Sequence, residues 1–236
     1  RIVELQGPPA SAADQAEPYY RLAAKLSLHA SDAMYWLLRR NIEKGNYPEA
    51  ISQADILMRT TARAHPAVVP ALARLAEIPS VLPAVKALIA ANPPWREPFF
   101  DKLPETVTAA RTPLNLLLAL KEAGHPPRNR ELRTYLDFLM AHRFHTLAYY
   151  TWLQFLPDER LASAGLLFNG SFDSEPSGAP FDWVISTSGG TKAEMVPHPD
   201  EANKRALRIE FSIGRVQLAL YQAVLLSPGS YSLTGH

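Results

Sequence analysis

The spacing of apolar residues changes once along this chain, and the change limits the folds open to it. Between Pro18 and Arg160 apolar residues recur at steps of three and four, with Gly, Pro and Asn at the joints, which is the pattern of short antiparallel helices. From about residue 162 the period falls to two. Leu207, Ile209, Phe211 and Ile213 alternate with Arg208, Glu210 and Ser212, as on a strand with one buried face. Val216, Leu218 and Leu220 repeat the alternation after a Gly214-Arg215 turn, and Pro228-Gly229 precedes a further strand beginning with Tyr231 and Leu233. The expectation is an α+β chain of more than one domain. Residues 1–17 read as a linker or N-terminal edge, 18–162 as an antiparallel α-helical array, and 163–236 as a partial antiparallel β-sandwich.

Composition narrows the function classes. At 236 residues, 47% hydrophobic and 20% charged, the chain can bury one large core or two smaller ones. Lys and Arg number 24 against 23 Asp and Glu, a net charge of +1, so the cationic surplus that nucleic-acid binding needs is missing. Having no cysteine removes disulfides, thiolate nucleophiles and Cys-type zinc sites together. No apolar run approaches the roughly 20 residues needed to cross a bilayer, so no membrane span is expected in this chain. The opening at Arg1 and the Gly7-Pro8-Pro9-Ala10-Ser11-Ala12-Ala13 stretch suggest a trimmed edge, with room for a signal or anchor upstream.

The helical part predicts about seven helices. The first spans Tyr19 to Leu28, and Ser31-Asp32 are placed to cap a second running from Ala33 to Lys44. Gly45-Asn46-Tyr47-Pro48 makes the next turn, with glycine for a left-handed helix end and proline for the start of a third helix reaching about Ala64. The segment Glu43 to Ile51, with Ala50 as the small residue between paired helices, resembles the inter-helix turn of a tetratricopeptide repeat. Leu37, Leu38, Ala54 and Leu57 fall at or near that repeat's packing positions, whereas Met34 stands where tryptophan is usual and the closing proline comes late, at Pro66. Leu132 to Leu156 keeps a similar spacing through Tyr135, Leu136, Ala148, Trp152 and Phe155, but its turn at His142-Arg143-Phe144-His145 lacks glycine.

Between these units a proline-rich middle runs from Pro66 to Pro113, where each proline must start a helix, kink one or lie between two. Within it, Trp95, Phe99 and Phe100 concentrate aromatic area after the Asn92-Pro93-Pro94 turn. Two readings stand: a plug that packs this irregular region, or a pocket that binds a protein partner.

In the β segment, Asn169-Gly170-Ser171-Phe172-Asp173, Pro180-Phe181-Asp182-Trp183, and Tyr221-Gln222 leading to Pro228-Gly229-Ser230-Tyr231 follow one another in order. That order resembles bacterial carbohydrate-binding modules of the jelly-roll, galactose-binding-like kind. The resemblance implies a sandwich of about eight strands, of which about half are visible, and a saccharide ligand. Asp182, Trp183, Tyr221 and Gln222 are the candidate ligand-binding residues. Trp183 has a second reading as an inter-sheet packing residue. Ser171 replaces the acidic residue usual in the opening motif, so the calcium site of such modules loses a ligand, leaving Asp173. The combination of helical repeat and Pro-Phe-Asp-Trp module resembles a group of bacterial envelope proteins associated with exopolysaccharide production.

No motif of a reaction centre appears: no His-Glu-x-x-His, Gly-x-Ser-x-Gly, phosphate loop or dinucleotide fingerprint. His142 and His145 are the closest of the seven histidines, but a third metal ligand is not visible. Ser188-Gly189-Gly190-Thr191 reads as a hairpin loop, and Asn169-Gly170-Ser171 fits a glycosylation acceptor whose turn position explains it equally well. The expectation is a non-catalytic scaffold or adaptor of the bacterial cell envelope, with no metal and no cofactor. It would contact a protein partner through the helices and a polysaccharide through the β module. The alternatives are a pure protein-interaction module whose β segment pairs with a partner chain, and a polysaccharide-processing enzyme using two carboxylates about 5–10 Å apart.

Overall fold

The computed structural model describes residues 10–27, 30–162, 164–201, 204–212 and 217–234. It is α+β, with ten α-helices followed by four antiparallel strands among the described residues. Leu28, His29, Ile213, the Gly214-Arg215 turn, Val216 and His236 lie outside the described residues. By compactness the chain divides into two units, Arg1–Pro126 and Pro127–His236. This division and the change of period near residue 162 are different boundaries, because helices α8 to α10 belong to the second unit.

The first unit holds α1 (Ala10–Leu26), α2 (Ser31–Glu43), α3 (Tyr47–Thr60), α4 (His65–Ala76), α5 (Leu82–Ala90), α6 (Arg96–Thr106) and α7 (Thr112–Glu122). Helix α1 starts well before Tyr19, so residues 10–17, read above as linker, are helical. Helix α2 also starts early: the Ala30 carbonyl accepts the Met34 amide at 3.0 Å, which places Ser31 inside the helix and removes it from the expected capping role. The α2–α3 turn is as expected. Gly45 takes φ +75°, where a side chain would be strained, and Pro48 sits in the first turn of α3. Ala50 and Ala54 are fully buried, so α3 can approach α2 closely. Across the pair the Asn41 amide donates to Gln53 at 3.0 Å.

Packing reaches beyond sequence neighbours: α3 contacts α5, α4 contacts α6 and α5 contacts α7. The core contains Leu38, Leu57, Leu72, Leu75, Ile89, Leu103, Leu116, Leu117 and Leu120, all fully buried. Each contributes about 1.5–3 kcal/mol by leaving water. Three of the prolines fall where the missing amide does least harm. Pro66, Pro83 and Pro113 lie in first turns, whereas Pro70 and Pro104 lie within α4 and α6.

The second unit begins with α8 (Asn129–Ala141), α9 (His145–Gln154) and the short α10 (Asp158–Ala162). Arg143 takes φ +63° between α8 and α9, doing without glycine what Gly45 does in the first unit. Strands β1 (Val184–Ser188) and β4 (Gln217–Tyr221) form one antiparallel ribbon, and β2 (Thr191–Pro197) and β3 (Arg205–Phe211) form another. Gly189-Gly190 therefore joins strands of different ribbons and does not close a hairpin, since β1 pairs with β4 and β2 with β3. The expected strand at Tyr231 and Leu233 is absent. That stretch is irregular, and the Tyr231 hydroxyl donates locally to the Ser227 carbonyl at 2.6 Å. Among the described residues each strand pairs along one edge only.

Candidate functional site

Four aromatic rings pack together in the second unit. Trp152 and Tyr149 of α9 meet Phe181, and Trp152 also meets Phe168 edge-on at 4.9 Å. The Arg160 guanidinium lies 4.6 Å over the Phe168 ring. This cluster fixes the segment between Gly165 and Trp183, which carries no strand of its own.

Asp182 is 1% exposed and organises that segment. Its Oδ2 accepts the Ser177 amide at 2.8 Å and its Oδ1 accepts the Trp183 amide at 2.7 Å, with Arg160 a further 3.9 Å ion-pair partner. Both oxygens are committed to the backbone, so the sequence candidate for ligand contact holds a loop instead. Gln222 behaves alike: its amide group donates to the Phe168 carbonyl at 2.8 Å and accepts the Phe168 amide at 2.9 Å. Tyr221 is 55% exposed at the end of β4, where it pairs with Val184. Trp183 is half-buried. Its ring stacks on Phe172 at 4.9 Å and its indole N–H donates to the Asn169 carbonyl at 2.9 Å. Phe172 and Asn169 both hold left-handed φ, +55° and +51°, strain that these contacts and those of Asn169 with Ser174 must offset.

Trp95, Phe99 and Phe100 are at most 2% exposed. They pack edge to face on one another, and the Trp95 indole donates to Asp55 Oδ1 at 2.7 Å. Their side chains are core, and of the two readings only the plug matches this burial.

Two hollows flank the Glu175–Gly178 stretch, of about 330 and 310 Å³, and share Arg133, Glu175, Pro176 and Ser177 in their walls. The first is lined by Trp183, by Ile185 of β1, Met195 of β2 and Leu207 of β3. A larger groove of about 730 Å³ lies among α1, α2 and α3 in the first unit, with apolar walls from Leu22, Met34, Leu37 and Ile56 and basic groups at Arg21 and Lys25. Sequence reasoning missed Arg133, Glu175, Ser177 and Gly178. They come from α8 and an irregular loop and carry no motif.

No known family, curated protein or solved structure matches the chain.

Titratable groups are tuned by structure-making contacts. Hydrogen bonds from Lys44 and Arg21 hold the Glu17 carboxyl below its ordinary value, and hydrogen bonds from Arg40 and Lys44 do the same for Asp14. Burial works against the charged form of Glu77, but bonds from Ala109, Thr108 and Thr112 hold it low and staple the start of α7. No cluster of three or more His, Asp or Glu side chains suited to a metal occurs among the described residues. His142 Nδ1 lies 2.8 Å from the Phe138 carbonyl, an acceptor, so that nitrogen carries the proton. No described helix is long and apolar enough to cross a membrane.

Proposed function

We infer that this chain is a non-catalytic scaffold of the bacterial cell envelope, with tetratricopeptide-like helices that engage a protein partner and a jelly-roll-like β module that binds polysaccharide. One observation carries the reading: Asp182, Gln222 and Glu77, polar groups with the chemistry to act on a ligand, are bonded to backbone, while the open hollows have mixed or apolar walls. The α2–α3 hairpin with its buried Ala50 and Ala54, and the second-neighbour helix contacts, support the repeat reading. The groove among α1, α2 and α3 is the surface the helical half offers a protein. The half-buried indole of Trp183 supports the saccharide half. The envelope setting comes from the sequence resemblance.

Titration of the chain against a panel of bacterial exopolysaccharides, followed by assay of the same mixtures for newly released reducing ends, tests this. Binding without release is expected. Flat titrations sink the saccharide half, and release of reducing ends sinks the non-catalytic half.

A second reading has its own observation. The two ribbons leave strand edges unpaired among the described residues, and Phe211, Tyr221 and Leu233 are 58%, 55% and 86% exposed. A pure protein-interaction module that pairs with a partner strand would cover them. Protection of β3 and β4 amides from hydrogen exchange on adding a protein partner, with flat saccharide titrations, would favour it.

A further inference from the structure

The geometry points to the hollow beside Trp183 as a binding site for an anionic saccharide, with Arg133 as the group that reads the negative charge. The inference rests on the reading of the β module as polysaccharide-binding and adds the chemical class and the residues.

The platform comes first. Trp183 is held on one ring face by Phe172 and at its N–H by the Asn169 carbonyl, so its orientation is set before any ligand arrives. A fixed indole beside apolar Ile185, Met195 and Leu207 suits the C–H face of a sugar ring, which is apolar while its edge is polar. The rim supplies the edge contacts. Ser177 accepts the Ala179 amide at its hydroxyl oxygen at 3.3 Å, which leaves the hydroxyl proton to donate. Glu175 and Glu194 face the same hollow but are already paired, with Arg205 and Arg208 respectively, so they add acceptors without an uncompensated negative charge.

Arg133 differs from those arginines. It lines both hollows and is exposed, and no hydrogen bond or ion pair within 4.0 Å engages its guanidinium among the described residues. Its electrostatic neighbour is Asp137, one turn further along α8. Its Nη1 lies 3.2 Å from where a Cβ on Gly178 would stand, so the guanidinium rests against the loop at Gly178. Gly178 also takes φ +72°. A fork of N–H donors next to a rigid aromatic platform matches a sugar that bears a carboxylate or sulfate, which a guanidinium binds through two parallel hydrogen bonds.

Calorimetric titration of the full chain tests this with four short probes. They are an oligogalacturonide, its methyl ester, a sulfated oligosaccharide of similar length and a neutral oligoglucoside. The ester keeps the ring and removes the charge, replacing it with a small neutral group. Expected is binding of the oligogalacturonide at least tenfold tighter than its ester, on the scale of one charge-assisted bidentate contact, with the preference weakening as salt rises. The sulfated arm decides whether carboxylate or sulfate is the preferred anion. Arg133→Gln should abolish the preference, and Arg133→Lys should restore part of it. Trp183→Phe should weaken all saccharides together. Circular dichroism of each variant shows whether it is folded. If ester and acid bind equally, or Arg133→Gln leaves the preference intact, the anionic site is overturned while a polysaccharide-binding module stands. If no saccharide binds the wild-type chain, both fall.

Discussion

A single side chain in this protein often does structural work where its type suggests chemistry. Asp182 is the clearest case: removing its carboxylate leaves the Ser177 and Trp183 amides without an acceptor inside the loop. Asp182→Ala should cost about 3 kcal/mol, measured by denaturant unfolding of the second unit, since buried donors lose their partner outright. The core aromatics make a similar point. Phe99→Ala should destabilise the first unit by about 3–5 kcal/mol, as a fully buried ring leaves a cavity. Trp95→Phe should cost about 1 kcal/mol through loss of the Asp55 bond. Unchanged midpoints in these variants would contradict the packing described for them.

At the scale of an element, α1 depends on charge. Asp14 and Glu17 on α1 face Arg40 of α2 and Lys44 just past its end, with Lys44 Nζ 2.6 Å from Glu17 and 3.3 Å from Asp14, while Tyr20 stacks on Trp36 at 4.3 Å. Both carboxyls titrate below their ordinary values of 4.5 for Glu17 and 3.8 for Asp14 in the folded chain. A depressed carboxyl stabilises the fold fully above its unfolded value, and that contribution is lost as pH falls through the folded value. Helix α1 should therefore loosen below about pH 4 and remain docked near pH 7. Hydrogen exchange of α1 amides at the two pH values checks this, and equal protection at both would overturn it. The two helix turns show how an element can be legible for one reason and not another. Glycine marks the α2–α3 turn at Gly45, because it tolerates positive φ, whereas the α8–α9 turn is legible only from the spacing on either side, since Arg143 adopts the same backbone without a glycine to mark it. Likewise β3 was visible from its alternation, but its partner was not. Pairing of β2 with β3 and β1 with β4 depends on which backbones meet, and a period of two leaves that open.

For the whole molecule, the decisive matter is where it divides. The β segment borrows its core from α9, through Trp152 and Tyr149 against Phe168 and Phe181. A chain of residues 127–236 should show a cooperative thermal transition, and a chain of 163–236 should show none, because it lacks those rings. Circular dichroism melts of the two pieces test this. A cooperative melt of 163–236 would place the division at the change of period after all.

The sequence alone determined the α+β order of elements, the α2–α3 hairpin and the burial-prone aromatics, because these follow from local periodicity, turn chemistry and apolar area. Only the tertiary structure decided that Asp182 and Gln222 hold loops, that Trp95, Phe99 and Phe100 lie in the core, and that Arg133 stands beside Trp183. The reason is physical: a polar side chain's role depends on which backbone groups reach it and which solvent is excluded. Those neighbours are set by contacts between residues far apart in the chain.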